Sequence, residues 1–246
     1  YLSREYFELV EACVGKAKEK RMLAWLYDED RWPSGAAGGI VTADERYRAK
    51  YLLFTTQPYG VGKAIEVIDS TAGVGRANNG SLIACFDVVL DENGCLTKYD
   101  IIDISEEAEG TKWYAYIETV KESPWYNGQT YVNTLDKPSI DRFIEVTYEA
   151  YKNSVGSEFG KTVPAIFTDE PQFSGKKTLK FATDKTDITL PWTHDLADSF
   201  REAYGEDLVA GIPLLVWNLP KGEISTVRYH YHDHVAQRFA VAFADN

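Results

Sequence analysis

The chain has 246 residues, of which 44% are hydrophobic, enough to bury the core of one large α/β domain or two small ones. It carries 26 Lys and Arg against 38 Asp and Glu, and the net charge of −12 disfavours binding to nucleic acid or to an anionic membrane. No run approaches the roughly 18 apolar residues of a membrane span. Aromatic residues make up 13%, and such rings serve either as core or as flat surfaces on which sugars stack.

The chain ends and the cysteines indicate the context of the domain. Residue 1 is Tyr, and helical patterns reach both ends, so we expect a fragment of a larger polypeptide whose other domains are its partners. Cys13, Cys85 and Cys95 form no CxxC pair, which favours free thiols and a cytoplasmic location. Cys85 and Cys95 flank a predicted turn, so a local disulfide is the alternative.

The first fifty residues predict an α/β arrangement. Ser3 caps a predicted helix over residues 4–20. The apolar run at 22–27 does not alternate, which is typical of a strand buried on both faces, as in a parallel sheet. It ends in an acidic triplet at 28–30, and a polar, glycine-rich loop follows.

Residues 50–120 predict an antiparallel β insertion. Five segments favour strands, at 50–56, 64–68, 82–90, 96–102 and 113–119. The sequence Asp-Glu-Asn-Gly at 91–94 predicts a hairpin turn between the third and fourth of them. The last segment, at 113–119, belongs either to the insertion or already to the parallel sheet of the α/β part of the chain.

The α/β pattern resumes after residue 120. Pro138 lies in the first turn of a predicted helix over 138–154. A second buried strand is predicted at 163–168, and Asp169 and Glu170 follow it. The remaining elements are a polar loop at 174–190, a helix capped by Thr193 and stopped by Gly205, an apolar segment at 211–217 that is ambiguous between helix and strand, and a helix at 226–244.

Buried strands that alternate with helices predict a partial (β/α)8 barrel of the TIM type, interrupted by the antiparallel β insertion. Eight parallel strands close such a barrel, and two or three are clear here. Residues 1–49 would supply the first βα units, 50–120 the insertion, and 121–246 the later units.

Acidic side chains follow both buried strands. In parallel α/β folds, the working site lies at the carboxyl ends of the strands. Glycoside hydrolysis needs two carboxyl groups, one protonated to release the leaving sugar and one ionised. We therefore predict that Asp28, Glu29 and Asp30 line the same cleft as Glu170. The alternative is that these acids cap loops or form salt bridges.

Aromatic residues in loops indicate a sugar-binding surface. Trp32, Trp125 and Trp192 lie in predicted loops, and Asn127 is close to the second of them. Rings beside amides suit the faces and hydroxyls of sugars, although loop aromatics also pack onto the protein. The histidines of the HYHDH segment at 230–234 lie at the start of a helix without the metalloprotease spacing, so we assign no metal site to them.

Four stretches together carry a family resemblance: YLSREYFELVEAC, MLAWLYDEDRWPSGAAGG, VPAIFTDEPQF and LPWTHDLADSFREAYGEDL. In order and spacing they resemble the catalytic barrel of the α-L-rhamnosidases of glycoside hydrolase family 106 and related bacterial proteins. The resemblance implies a multidomain enzyme that removes terminal rhamnose with inversion, aided by calcium. It places Glu170 at the position of the catalytic acid.

The chain departs from the family pattern because Asp169 and Glu170 are adjacent and because a long loop precedes Trp192. We predict a glycoside hydrolase with Glu170 as general acid, supported by Asp169, and with a second carboxylate that activates water and lies either among residues 28–30 or beyond this chain. Pro171 predicts an extended backbone at Glu170. The alternatives are a retaining β-glycosidase-like barrel and a non-catalytic carbohydrate-binding scaffold. The two catalytic carboxyls lie about 5–5.5 Å apart in a retaining enzyme and about 6.5–9.5 Å apart in an inverting one.

Overall fold

The computed structural model describes residues 1–60 and 75–245, which divide into two compact units. The first unit comprises Tyr1–Arg48, Glu122–Phe173 and Val241–Asn246. The second comprises Ala49–Lys121 and Ser174–Ala240. The strand predicted at 64–68 lies outside the described residues.

The described residues form five α-helices and seven strands. The helices are α1 (Arg4–Glu19), α2 (Lys137–Val155), α3 (Leu196–Tyr204), α4 (Ile212–Val216) and α5 (Thr226–Phe239). The strands are β1 (Leu26–Tyr27), β2 (Lys50–Thr55), β3 (Ser81–Leu90), β4 (Leu96–Ile101), β5 (Thr111–Thr119), β6 (Ile166–Phe167) and β7 (Ile188–Trp192). A short 3-10 turn covers Pro124–Tyr126, and a π-helical turn, Ala240–Ala244, follows α5.

The first unit is organised around the parallel pair of β1 and β6, in which Leu26 lies opposite Ile166. The predicted parallel pairing is therefore present, although each strand is two residues long. Helices α1 and α2 share a buried core with this pair, formed by Val14, Leu26, Tyr151, Val155 and Val163. Ser3 caps α1, as predicted, by accepting a hydrogen bond from the Tyr6 N–H.

The prediction that the run at 22–27 is buried on both faces is wrong. Met22, Leu23 and Trp25 are 62–63% exposed. Within the described part of the chain, the helices cover one face of the parallel pair, and the other face carries exposed apolar side chains.

The second unit contains a five-stranded antiparallel sheet in the order β4-β3-β5-β2-β7. β3 and β4 form the predicted hairpin, and the Asp91 N–H donates to the Cys95 carbonyl across the turn at 2.9 Å. β7 lies in a segment predicted to be a loop. It pairs with β2 at the edge of the sheet, where Pro191 can be accommodated because its missing N–H costs no central ladder bond.

The helices of the second unit correct several boundaries. α3 ends at Gly205, with φ of 70°, as predicted, but its N-cap is Asp195 and not Thr193. The ambiguous segment at 211–217 contains the short helix α4. The helix predicted to reach residue 244 ends at Phe239 and continues as the π-helical turn.

The predicted partial (β/α)8 barrel is wrong. The described residues contain a two-stranded parallel sheet and a five-stranded antiparallel sheet, and neither closes on itself. The apolar runs at 22–27 and 163–168 pair over two residues only. The segment 174–240 belongs to the second unit, where it supplies β7 and three helices in place of further βα units.

Two further predictions can be compared with the structure. Cys13, Cys85 and Cys95 are free thiols, as predicted. Across residues 1–60 and 75–245, no helix has the length and apolar character needed to cross a membrane.

Candidate functional site

The ends of β1 and β6 are tied together by Ser34. Asp28 directly follows β1, and Asp169 lies two residues beyond the end of β6. The Ser34 hydroxyl donates to Asp28 Oδ1 at 2.6 Å and accepts from the Asp169 N–H at 2.9 Å. The Ser34 N–H in turn donates to the Asp169 carbonyl at 2.9 Å. These bonds hold the two loops in a fixed relation at the carboxyl ends of the parallel strands.

Asp28 is part of the buried framework of the site. Its Oδ2 accepts hydrogen bonds from the Tyr148 hydroxyl at 2.8 Å and from Thr168 Oγ1 at 2.6 Å, in addition to the Ser34 bond on Oδ1. Because Asp28 has no solvent-accessible surface, its carboxylate cannot accept a hydrogen bond from a bound sugar. Asp28 therefore supports the site from within the protein and does not contact a substrate.

Glu29 is enclosed by the backbone of its own loop. Its side chain is buried, and its two oxygens accept five hydrogen bonds of 2.6–3.0 Å from the backbone N–H groups of Asp30, Gly35, Ala36, Ala37 and Gly38. Burial raises the pKa of Glu29 above its usual value, whereas the N–H donors act in the opposite direction. Glu29 thus organises the loop that carries Trp32, and it too is inaccessible to a substrate.

Glu170 differs from Asp28 and Glu29 because it is exposed to solvent. Its Oε2 accepts a hydrogen bond of 2.9 Å from the indole Nε1 of Trp32. The backbone at Glu170 has a φ of 40°, in the left-handed region, so the extended conformation predicted from Pro171 is wrong. The bonds between Ser34 and Asp169 and the Trp32 contact fix this turn against the local preference.

Trp125 lies beside Trp32 and supports it. The Trp125 indole Nε1 donates to the Trp32 carbonyl at 2.6 Å, and the two rings meet edge to face with centroids 6.5 Å apart. Trp32 is 38% exposed and Trp125 47% exposed, so both rings present surface to a ligand. The Arg31 guanidinium lies 5.6 Å from the centroid of the Trp125 ring.

Two further carboxylates remain partly accessible at this site. Asp30 accepts from Asn127 Nδ2 at 3.1 Å and lies 3.3 Å from Arg31 Nε. Asp169 accepts from the Tyr27 hydroxyl at 3.1 Å. Burial, together with the hydrogen bond to Asp169, raises the pKa of Tyr27 to about 12, so at neutral pH this phenol remains a donor. The described site therefore presents Asp30, Asp169 and Glu170 on adjoining loops.

The structure does not place Trp192 with the other predicted site residues. Trp192 belongs to the second unit, in β7, and is 3% exposed. Its predicted loop position is therefore wrong, and its ring is part of the packed sheet.

The calcium implied by the family resemblance does not fit the described residues. Across residues 1–60 and 75–245, no group of three or more His, Cys, Asp or Glu side chains could hold a metal ion. The Asp28 and Glu29 oxygens face hydrogen-bond donors from hydroxyls and backbone amides.

Ser34, Tyr148 and Thr168 are the site residues that the sequence did not reveal. The side-chain hydroxyl of each donates a hydrogen bond to Asp28, and these partners are brought together only when the chain folds.

Comparisons of the chain with protein-family models, with curated proteins and with solved structures found no match.

Proposed function

We propose that this chain carries the sugar-binding and acid-donating part of a glycoside hydrolase, with Glu170 as the general acid. The observation that supports this most directly is the exposed Glu170 carboxyl, held by the Trp32 indole N–H beside the open rings of Trp32 and Trp125. Aromatic faces stack on the apolar faces of sugars, and a carboxyl beside them can protonate a glycosidic oxygen.

The backbone at Glu170 adds support to this role. A residue other than glycine in the left-handed region costs about 1–3 kcal/mol and persists where its surroundings fix it. Such positions cluster at active sites. At Glu170 the turn directs an acidic side chain toward Trp32 and toward solvent.

The second carboxylate of the proposed reaction is Asp30. Within the acidic triplet, Asp28 and Glu29 are buried and hydrogen-bonded within the protein, and Asp30 alone is partly exposed. Asn127 Nδ2 donates to its carboxylate at 3.1 Å, and Arg31 Nε lies 3.3 Å from it, so both side chains hold it in position beside the water it would activate. Asp169, bonded to Tyr27, supports the turn that presents Glu170.

A specific observation favours a second candidate, a carbohydrate-binding site without hydrolysis. Two of the five predicted acids at the strand ends, Asp28 and Glu29, are committed to framework bonds, and a binding site needs only the rings, Asn127 and the remaining carboxylates. The two candidates share a ligand class and differ in whether Glu170 transfers a proton.

The test is to assay the full chain on a panel of aryl and alkyl glycosides that includes α-L-rhamnosides, and to measure binding of the same sugars by calorimetry. Glu170→Gln should lower turnover of substrates with poor leaving groups by about 10²–10⁴-fold while affinity is retained. Glu145→Gln, which changes an exposed acid on α2, is the matched control and should leave turnover unchanged.

The outcomes separate the candidates. Binding without turnover, unaffected by Glu170→Gln, identifies the non-catalytic site. Absence of both binding and turnover across the panel contradicts the proposed function. Where turnover occurs, the anomeric form of the first product, followed by NMR, distinguishes inversion from retention.

A further inference from the structure

Three aromatic side chains lie on the face of the parallel pair that the described helices leave open. Ala24 and Leu26 pack into the core with α1 and α2, whereas Trp25, directly before β1, is exposed, and Tyr27, next to Leu26 in the strand, points to the other face. Phe167, opposite Tyr27 in the register, stacks on it with ring centroids 6.1 Å apart and planes at 26°. We call these three residues the aromatic row.

The aromatic row is open to solvent and is continuous with the site. Trp25 is 63% exposed and Phe167 51% exposed. Trp25 and Tyr27 are two positions apart along the chain, so the exposed ring lies directly before the strand. Tyr27 belongs both to the row and to the site, because its hydroxyl donates to Asp169.

We propose that the aromatic row forms additional sugar-stacking subsites, so that the ligand is an extended, neutral oligosaccharide and not a single terminal sugar. This inference rests on the proposed function and deepens it. Flat aromatic surfaces match the apolar faces of pyranose rings, and the carboxylates at the end of the row accept hydrogen bonds from sugar hydroxyls.

The charge at the end of the row argues for a neutral polyol. Asp169 and Glu170 lie beyond the aromatic rings, in a chain whose net charge is −12, and this field disfavours an anionic ligand. An acidic protein partner, such as a second copy of this chain, would remove Asp169 and Glu170 from water and repel them, which is unfavourable. The hydroxyls of a sugar chain, in contrast, can donate hydrogen bonds to both carboxylates and so replace the water they lose.

The test measures binding of a length series to the full chain. The probes are a monosaccharide aryl α-L-rhamnoside and rhamnose-containing oligosaccharides of increasing length. Affinity should rise with chain length in the wild-type protein. Trp25→Ala and Phe167→Ala should each weaken binding of the longest probe by about 2- to 12-fold, the range for one aromatic contact, and leave the monosaccharide probe unchanged.

Two control variants keep this test interpretable. Trp25→Phe retains an aromatic ring and should restore much of the affinity for the longest probe. Phe181→Ala removes an aromatic ring that is 62% exposed in the second unit, and it should have no effect. Circular dichroism identifies any variant that fails to fold. If Trp25→Ala is such a variant, the wild-type protein is compared with Trp25→Phe instead.

The failure of this inference is distinguishable from failure of the proposed function. If affinity does not change with chain length while Glu170→Gln still lowers turnover of the monosaccharide probe, the aromatic row is not a set of subsites and the proposed function stands. If Trp25→Ala changes self-association in analytical ultracentrifugation and leaves sugar binding intact, the row is an interface between copies, and the inference is overturned. If no probe binds or is hydrolysed, and none of the glycosides in the panel above does either, the proposed function itself fails.

Discussion

The Ser34 hydroxyl donates a hydrogen bond of 2.6 Å to Asp28 Oδ1, and neither residue has accessible surface. A pair of the same chemistry and the same length, Ser105 Oγ to Asp103 Oδ1, is exposed to solvent in the second unit. The two pairs differ chiefly in burial, so they form a matched comparison within one chain.

We expect Ser34→Ala to destabilise the protein by about 1.5–3 kcal/mol, because it leaves a buried carboxylate oxygen and the Asp169 N–H without their partner. Ser105→Ala should change stability by no more than about 0.5 kcal/mol, because water replaces the lost hydroxyl. Urea unfolding of the two variants measures the difference. Equal losses would show that the framework around Asp28 is not what holds the two strand ends together.

The enclosure of Glu29 predicts a large effect from a nearly isosteric change. Glu29→Gln leaves one acceptor oxygen and turns an NH2 group toward backbone N–H donors. We expect a loss of about 2–4 kcal/mol in thermal or urea unfolding. The control is Glu122→Gln, which removes the charge of an exposed acid that pairs with Arg48 and should cost at most about 1 kcal/mol. A similar loss in both would contradict the role given to Glu29.

The left-handed backbone at Glu170 predicts that glycine is preferred to alanine there. The left-handed conformation costs a residue with a Cβ about 1–2 kcal/mol, so Glu170→Gly should be more stable than Glu170→Ala by about 1 kcal/mol. At Glu223, which is exposed with φ of −60°, the same two substitutions should rank in the opposite order. Melting temperatures of the four variants decide the point, and a more stable alanine at position 170 would rule out strain there.

His234 predicts a loss of stability in mild acid. Burial, and secondarily the charge of Arg238, lower the pKa of His234 from its usual value of 6.5, while Asp195 and Asp233 oppose the shift. Above pH 6.5, His234 is neutral in the folded and in the unfolded protein, and the protein has its full stability. As the pH falls from 6.5 toward the lowered folded-state pKa, the unfolded chain binds a proton that the folded protein does not, so stability is lost.

We therefore expect the melting temperature to fall between about pH 7 and pH 5, and to fall less in His234→Gln. His232, whose pKa is lowered by burial and by Lys176 and Arg228, contributes to the remaining slope. The control is His194→Gln, which alters an exposed histidine and should keep the wild-type slope. An unchanged slope in His234→Gln would show that this residue does not couple stability to pH.

The sequence predicted the elements whose signals are local. The helices over 4–20 and 138–154 form nearly as predicted, because amphipathic spacing and capping residues act within the segment itself. The hairpin at 91–94 forms for the same reason. β7 was missed because it contains Pro191 and is defined by its pairing with β2, far away in the chain.

The site was predictable to the level of which loops meet. Parallel strands place their carboxyl ends together, so Trp32 and Glu170 are in contact although 138 positions separate them. The different environments of Asp28 and Asp30 were not predictable, because burial depends on hydroxyls from distant segments such as Tyr148. The apolar run at 22–27 likewise gave no indication that Trp25 is exposed.

The backbone enclosure of Glu29 has a consequence for the order in which the site assembles. Every donor to its carboxylate lies within nine positions along the chain, so closing this loop costs little chain entropy. Loops of about ten residues close in about 10–100 ns, far faster than segments separated by a hundred residues or more find each other. The loop that carries Trp32 is therefore expected to take shape early in folding, and Trp125 and Glu170 to dock onto it later.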